Sequence, residues 1–310
     1  GSLQEEARAH VEVQLWIDER VRSGKLKSAL DPKFIRKIHE RFFRRSPREF
    51  LVVRGEKEEL YCALPGKSRG PSMDVVVGEH IPPSGDVVDD WLRRLCEHYE
   101  AAPRGNISRL LDLAAAHHRF LYLHPFSEGN GRVVRLVTHA QIQLAGVGSG
   151  GLWSISRGLG RGLAPGLEGR SEYKRKLHYA DSPRDGDLDG RGNLSLRTLR
   201  DFVEWFLRVM LDQIRFMSEL YQLDALSERF EQLARERVAT SPDAAARIAR
   251  ATLREGDLAR PRAWEVAGLS ERSGRSIVKA LLDAELLASE SPRGPVRAQL
   301  AHAELFPRLF

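Results

Sequence analysis

One segment of the sequence, residues 124–135, brings together side chains that could act jointly on a phosphate-bearing substrate. Gly129, Asn130 and Gly131 run directly into a helix-like pattern, so their backbone N–H groups and the helix dipole favour bound phosphate. Arg132 and Arg135 are three residues apart at the start of that helix, so both guanidinium forks can lean toward one ligand. This spacing predicts a polyphosphate-binding site.

Two further residues of the segment predict a metal ligand and a base. Glu128 places one carboxylate beside the anion site, and Mg²⁺ is usually held by one or two carboxylates together with substrate phosphates. His124 stands at the entrance of the loop, and a side chain with an ordinary pKa of ~6.5 can accept a proton from an attacking hydroxyl. Base, metal ligand, phosphate-binding loop and arginine pair thus lie close together in the chain.

Two amphipathic helices must hold this loop. Apolar residues at helical spacing predict the first helix from Asn106, which can cap its start, to the His124-Pro125 step, because a residue before proline is disfavoured in a helix. The second helix begins near Arg132 and ends at Gly146. We therefore expect a helix-loop-helix unit with the chemistry in its loop.

The rest of the chain is also mainly helical by pattern. Two amphipathic helices are predicted within residues 4–45, and a hairpin-like connector with β-rich runs at 50–53 and 75–77 is predicted for 50–87. Further along, the pattern predicts a short helix at 171–179 and the apolar part of a long helix at 195–210. Beyond Ser241-Pro242 the pattern changes to short helices followed by two strand-like runs within 286–300. We place domains at 1–70, 71–235 and 236–310.

Composition excludes several classes of protein. With 310 residues, 42% hydrophobic, 30% charged and a mean hydropathy of −0.39, the chain is typical of an ordinary globular protein of about two domains. No stretch reaches the ~20 apolar residues of a membrane helix, so we expect no membrane partner. Two distant cysteines favour the reducing cytoplasm. The net charge of +6 is compatible with phosphate ligands or nucleic acid.

Residues 124–135 resemble the signature of the Fic (Fido) family, H-x-F-x-[DE]-[GA]-N-[GK]-R-x-x-R, at every fixed position. Residues 78–83 are similar to the flap region of that family, and 152–158, 187–195 and 305–310 to segments of one bacterial subgroup. The resemblance implies a mainly α fold: a Fic helical core with a β-hairpin flap, plus a C-terminal winged helix-turn-helix domain.

The resemblance also implies an activity, transfer of AMP from Mg-ATP to a Ser, Thr or Tyr hydroxyl of a protein. It assigns His124 as general base, Phe126 as loop anchor and Glu128 as Mg²⁺ ligand. The phosphate-binding set that it implies is Gly129, Asn130, Gly131, Arg132 and Arg135, with Arg132 stabilising the diphosphate and Arg135 reaching the γ-phosphate. Residues 72–80 would be the flap that aligns the target chain, and Tyr173, Leu177 and Tyr179 would lie at the adenine pocket. Gly131, where Doc-type kinases have lysine, favours nucleotidyl transfer.

One element of many family members, an inhibitory helix with the pattern [ST]-x-x-x-E-[GN], is not found at any Glu followed by Gly or Asn in the sequence. In the subgroup that this chain resembles, that helix lies just upstream of a segment like 5–11, so truncation would explain its absence. The prediction is a site without that inhibition, with Arg135 free to bind ATP.

Several alternatives stay open at this stage. The donor is ATP or, as in relatives, GTP, UTP or CDP-choline, and the target is another protein or the chain itself, alone or as a homodimer. In the C-terminal unit, Arg272, Arg275 and Lys279 lie on the polar side of a helix, but 241–310 holds eleven Lys and Arg against nine Asp and Glu. DNA binding and protein docking are therefore equally favoured there. The second hypothesis for the whole chain is a DNA-binding regulator with the Fic fold as nucleotide sensor.

Overall fold

Helices carry most of the chain that the computed structural model describes, which comprises residues 2–44, 51–54, 60–71, 73–100, 106–190 and 192–300. The chain divides into two compact units, Gly1–Arg215 and Phe216–Phe310. The mainly α class expected from the sequence is confirmed. The C-terminal residues 305–310, which resemble a family segment, lie outside the described residues.

The first unit opens with two helices, α1 (Ser2–Arg22) and α2 (Pro32–Phe43). Asp31 caps α2, because its carboxylate accepts the N–H of Lys33 at 3.0 Å, and Pro32 suits the first helical turn. The apolar spacing of α2 turns Ile35, Ile38 and Phe42 inward. Both helices pack on the core of this unit, as the amphipathic patterns predict.

The connector differs from its prediction. Its antiparallel hairpin joins β1 (Val52–Arg54) to β2 (Leu60–Cys62), with Val53 opposite Tyr61. The expected strand at 75–77 is absent from the described residues there. Instead, Val77 and His80 exchange two backbone hydrogen bonds around Gly78, at 2.9 and 3.1 Å, so the predicted flap region is a tight turn. Ser72, at its start, lies outside the described residues.

Three helices then build the support for the loop: α3 (Val88–Glu100), α4 (Asn106–Leu123) and α5 (Asn130–Leu144). α4 ends one residue before the His124-Pro125 step, where the sequence predicts its end. α5 buries Val133, Leu136 and Val137 against the core that α1 and α2 also line. The helix-loop-helix prediction is confirmed.

Three more helices follow: α6 (Ile155–Arg161), α7 (Gly169–Ala180) and α8 (Leu196–Leu220). Glu172 of α7 is buried and accepts hydrogen bonds from the Trp205 indole at 2.8 Å and from the Leu163 N–H at 2.7 Å. This carboxylate ties α7 to α8 and to the end of α6. Within the described residues, no helix has the length and apolarity that crossing a membrane requires.

The second unit contains α9 (Leu223–Arg237), α10 (Pro242–Glu255), α11 (Arg260–Ala267), α12 (Glu271–Asp283), β3 (Leu287–Ala288) and β4 (Arg297–Ala298). β3 and β4 pair antiparallel, at the two strand-like runs of the sequence. The units divide at 215/216, whereas the sequence-based boundary near 235 falls inside α9. The reason is packing: Phe230 and Leu233 of α9 share a core with Ile248 of α10.

Candidate active site

The loop between α4 and α5 leaves an open anion-binding position at the start of α5. Gly129 precedes the helix with φ +82 and offers no side-chain cap. The N–H groups of Asn130 and Gly131 donate to no atom of the described residues, whereas that of Arg132 bonds the Gly129 carbonyl at 3.0 Å. Unsatisfied amides at a helix N-terminus carry the positive end of the helix dipole. This arrangement suits a phosphate.

The glycine at position 129 is required by two features. Its φ lies in the left-handed region, and an added Cβ would come within 2.3 Å of the Phe43 ring. α2 therefore presses directly on the loop. Gly131 has space for a Cβ, which would meet the Arg135 guanidinium at 3.4 Å.

Phe126 and His39 hold the inner side of the loop. Phe126 is fully buried, as expected for an anchor, and its ring stacks on the His39 ring with centroids 4.1 Å apart. Nδ1 of His39 accepts the Gly66 N–H at 2.8 Å, so Nε2 carries the proton and donates to the Glu128 carbonyl at 3.1 Å. Desolvation lowers the pKa of His39 to about 4, so the ring is neutral.

Arg69 clamps the outer side of the loop at His124. Its guanidinium is fully buried and donates to the carbonyls of His124 at 2.8 Å, Leu123 at 3.3 Å and Pro83. It also pairs with Asp74 at 3.1 Å, and its backbone N–H donates to the Pro125 carbonyl at 2.9 Å. His124 has φ +50, a conformation that a side chain other than glycine adopts rarely. Arg69 stabilises that conformation.

His124 faces a cavity of about 320 Å³. The cavity is lined by His124, His118, Leu121 and Tyr122, by residues 77–80, and by Lys174, Leu177, His178 and Asp181. Desolvation is the main cause that lowers the pKa of His124 to about 4. The imidazole is therefore neutral near pH 7 and can accept a proton.

The side chain of Asn130 is buried within the loop. Its amide is 2% exposed, its Oδ1 accepts the Phe126 N–H at 2.9 Å, and its Nδ2 donates to the Phe126 carbonyl at 2.6 Å. Both polar groups of the side chain are thus used inside the loop. Asn130 offers its backbone N–H to the anion position, and its side chain keeps the loop in shape.

Arg132 is already engaged by two carboxylates. Glu6 of α1 binds it with both oxygens, at 2.9 Å to Nε and 2.9 Å to Nη2, and Oε1 of Glu128 lies 3.0 Å from Nη1. The hydrogen bond from Arg132 is the main cause that lowers the pKa of Glu6. This ion pair was not predicted from the sequence, where the expectation concerned an inhibitory glutamate at Arg135. Glu6 already balances part of the positive charge of Arg132.

The surroundings of Arg135 differ from those of Arg132. No acidic side chain of the described residues lies within ion-pair distance of its guanidinium, which leans toward Gly131. Desolvation lowers its pKa, with the nearby Arg132 charge acting in the same direction. A partly buried cation next to free amides favours a bound anion.

The three residues expected at the adenine pocket are separated. Leu177 lines the cavity beside His124. Tyr173 is buried in the core, where its hydroxyl lies 2.6 Å from Nε2 of His117 and its ring stacks on Trp205. Tyr179 is exposed. The α7 residues that line the cavity are Lys174, Leu177 and His178, which lie on one face of the helix by their spacing.

Three residues that hold the site were not predicted from the sequence: Arg69, His39 and Glu6. His39 lies on the apolar face of α2 among Ile35, Ile38 and Phe42, and a histidine on such a face is a signal for a buried polar contact. Arg69 sits between two Pro/Gly turns, and no local pattern indicates that it is buried. Glu6 is one of many charges on α1.

Removing the Glu6 carboxylate is expected to strengthen nucleotide binding. Glu6→Gln frees the Arg132 guanidinium and removes a negative charge from the anion site, so Mg-ATP should bind about three- to tenfold more tightly. Titration calorimetry with wild type, Glu6→Gln and the neighbouring exposed Glu5→Gln measures this. Equal affinities for wild type and Glu6→Gln, or a gain shared with Glu5→Gln, would contradict it.

The buried histidines predict loss of stability in mild acid. The pKa values of His10, His39 and His124 are lowered from 6.5 to about 4, each mainly by desolvation. The unfolded chain therefore binds more protons below pH 6.5, and the free energy of unfolding falls as pH drops from about 6.5 toward about 4, by on the order of 3 kcal/mol per histidine.

Urea denaturation at about pH 7.5 and about pH 5 checks this, with a lower midpoint expected at the acidic pH. His39→Gln should flatten the pH dependence, whereas His98→Gln, at an exposed position, should keep it. Equal midpoints of the wild type at both pH values would refute the prediction.

Part of the chain matches the model of a known family. Residues 29–142 match the model of the Fic/DOC family. Over 74 residues the chain is 36% identical to a protein adenylyltransferase Fic of Drosophila grimshawi. This matched stretch covers 23% of this chain and 15% of that protein. Over 75 residues it is 28% identical to a protein adenylyltransferase Fic of Nematostella vectensis. That match covers 24% of this chain and 18% of the Nematostella protein. The chain thus spans less than a fifth of the length of these curated relatives.

Solved structures were also matched. A Fic family protein from Desulfovibrio desulfuricans G20 is 18% identical, with a TM-score of 0.47 over 93% of this chain and 74% of that chain. A Fic domain containing signaling protein from Bacteroides thetaiotaomicron VPI-5482 is 18% identical, with a TM-score of 0.45 over 69% of this chain and 73% of that one.

Proposed function

We propose that this chain, which carries a Fic/DOC family domain at residues 29–142, transfers AMP from Mg-ATP to a Ser, Thr or Tyr hydroxyl of a protein. The observation that supports this best is the anion position at the start of α5. There the free amides of Asn130 and Gly131 lie beside Arg132 and Arg135. A neutral His124 lies at the other end of the same loop.

The chemistry follows from these positions. His124 accepts the proton of the target hydroxyl while the hydroxyl oxygen forms a bond to the α-phosphorus. The bond from the α-phosphorus to the bridging oxygen of the β-phosphate breaks, and diphosphate leaves with that electron pair. Arg132 and Arg135 stabilise the negative charge that develops on the leaving diphosphate. The products are diphosphate and a protein with a phosphodiester-linked AMP.

Glu128 fits the role of a Mg²⁺ ligand. Its side chain is 38% exposed, and both of its contacts within the described residues, to Gly129 N–H and Arg132, fall on Oε1. Oε2 therefore remains for a cation that takes its other ligands from phosphates and water. Mg²⁺ at that place would neutralise phosphate charge. We propose Glu128 as the protein ligand of that ion.

We assign the nucleoside to the cavity beside His124, where Leu177 supplies an apolar wall. Residues 77–80 form another wall, and we propose that this turn serves as the flap against which the target chain aligns by backbone hydrogen bonds. Val76 and Val77 are exposed there, as a surface that receives another chain requires.

The second unit supports a further proposal, a winged helix-turn-helix. α11, a turn at Gly268 with φ +68, and α12 capped by Ser270 form the helix pair, and β3–β4 would be the wing. In a DNA-binding regulator, α12 would enter the major groove. His124→Ala separates the two functions, since it should abolish AMP transfer and leave any DNA binding intact.

Intact-mass spectrometry tests the proposed transfer. Purified protein is incubated with Mg²⁺ and ATP, GTP, UTP or CTP in parallel, next to His124→Ala. A mass gain of one AMP in the wild type with ATP alone is the expected result, and the same incubation with cell lysate reveals targets other than the chain itself. If no nucleotide increased the mass of the chain or of any lysate protein, the result would reject the proposal and favour a DNA-binding regulator that senses nucleotide.

A further inference from the structure

A second concave site lies between α1 and α2, away from the loop that carries His124. It is a groove of about 680 Å³. Its lining contains six cations from α1, α2 and the turn between them: Arg20, Lys25, Lys27, Lys33, Lys37 and Arg41. Trp16 and Phe34 form its apolar floor, with ring centroids 5.6 Å apart.

Little negative charge balances this groove. Among its lining residues in the described part of the chain, the one acid is Asp31, whose carboxylate caps α2 at the Lys33 N–H. Lys37 pairs with Glu40 at 2.9 Å, but no acidic side chain of the described residues lies within ion-pair distance of Lys25, Lys27 or Lys33. Like charges held together in a concavity raise the local positive potential. The groove thus favours an anionic partner.

The two arginines of the groove contact the Trp16 ring, whereas Lys25, Lys27 and Lys33 have no ionic partner among the described residues. The guanidinium carbons of Arg41 and Arg20 lie 4.4 and 5.4 Å from the centre of the Trp16 ring, which Phe34 also contacts. Side chains of its own chain therefore already contact the ring, which leaves less of its surface for a nucleobase to stack on. The free cations are lysine ammonium groups on flexible stems, which attract carboxylates without needing a fixed geometry. Both points favour an acidic peptide over nucleic acid.

The groove is also connected to the candidate active site through α1. Glu6, on Arg132, and Arg20, in the groove, are fourteen residues apart in that helix. At 1.5 Å per residue this is about 21 Å, close to four helical turns, so the two side chains lie on similar sides of α1. An extended peptide of about six residues covers that distance.

We propose that this groove docks an acidic segment of the protein whose hydroxyl is modified. This inference rests on the proposed transfer activity and specifies its substrate class: proteins that carry clustered Asp or Glu in a segment outside the one that holds the modified hydroxyl. Docking there raises the local concentration of the hydroxyl at His124.

Peptide binding without nucleotide tests the docking site independently of the chemistry. The probe is a fluorescent oligoglutamate peptide, and the competitor is an oligothymidylate of equal charge. Lys25→Glu/Lys27→Glu/Lys33→Glu should weaken peptide binding about tenfold or more, because three cations are reversed. The matched control reverses three exposed cations elsewhere, Arg94→Glu/Arg200→Glu/Arg215→Glu, and should bind within about twofold of wild type.

Three results would overturn the proposal: no peptide binding by wild type at low ionic strength, equal loss in both triple variants, or preferential oligothymidylate binding that the groove variant abolishes. If the groove variant loses its fold in circular dichroism, Lys25→Gln/Lys27→Gln/Lys33→Gln replaces it, and peptide binding by this folded variant at wild-type affinity would likewise overturn the proposal. Because the assay contains no nucleotide, a failed AMP transfer leaves its result interpretable. Conversely, normal AMP transfer with no peptide binding rejects only the groove.

Discussion

Arg69→Met is expected to lower both the stability of the protein and the rate of transfer. The substitution leaves the carbonyls of Leu123, His124 and Pro83 without their donor and removes the cation beside Asp74. Buried acceptors without partners and a broken ion pair cost about 3 kcal/mol together. His124 then loses the contacts that hold its φ at +50, and a displaced base reduces kcat by about a hundredfold.

Arg36→Met is a suitable control for this effect. Arg36 also pairs with a carboxylate, Asp89 at 2.7 Å, but Arg36 is 33% and Asp89 67% exposed, so the loss of this pair should cost less than about 1 kcal/mol. Urea denaturation and single-turnover labelling compare the two variants. Arg69→Lys should restore part of the stability, because an ammonium can replace some of the donors. If Arg69→Met behaved like Arg36→Met in both assays, Arg69 would have no positioning role.

His124→Ala is expected to reduce AMP transfer by roughly 10²–10⁴-fold, which is the typical contribution of a general base. The variant removes the proton acceptor but not the amides of Asn130 and Gly131 or the two arginines, so Mg-ATP affinity should stay within about threefold of wild type. Titration calorimetry and quantified labelling measure these two quantities separately.

The pH dependence of the rate tests the same assignment. Because the pKa of His124 is about 4, its neutral form persists through weakly acidic pH. The rate of the wild type should therefore be level from about pH 8 to about pH 6 and fall only at lower pH. The exposed histidine variant His98→Ala should show the same profile at full rate. A His124→Ala rate within tenfold of wild type would remove the histidine from the mechanism.

Much of the scaffold could be predicted from local pattern. The ends of α4 and α5 follow from Pro125, the glycines around Asn130 and apolar residues at helical spacing, because these preferences act within a few residues. The same holds for α11 and α12, separated by Gly268. The burial of Phe126 was expected from the motif and is confirmed.

The arrangement around the loop could not be predicted, because it depends on contacts between distant residues. Arg69 reaches His124 across 55 positions and Glu6 reaches Arg132 across 126. Whether a charged side chain is buried is decided by what packs over it, and spacing carries no information on that. The position of Tyr173 depends on such contacts too. It was expected at the adenine pocket, but its side chain is buried in the core against His117 and Trp205.

The most direct test of the account uses ATP labelled either at the α-phosphate or at the γ-phosphate. The proposed chemistry breaks the bond between the α-phosphorus and the leaving diphosphate, so label from the α position should enter protein in a His124-dependent manner. Label from the γ position should appear only in released diphosphate. Stable incorporation of the γ label, or no incorporation of either label into the chain or any lysate protein, would contradict the account.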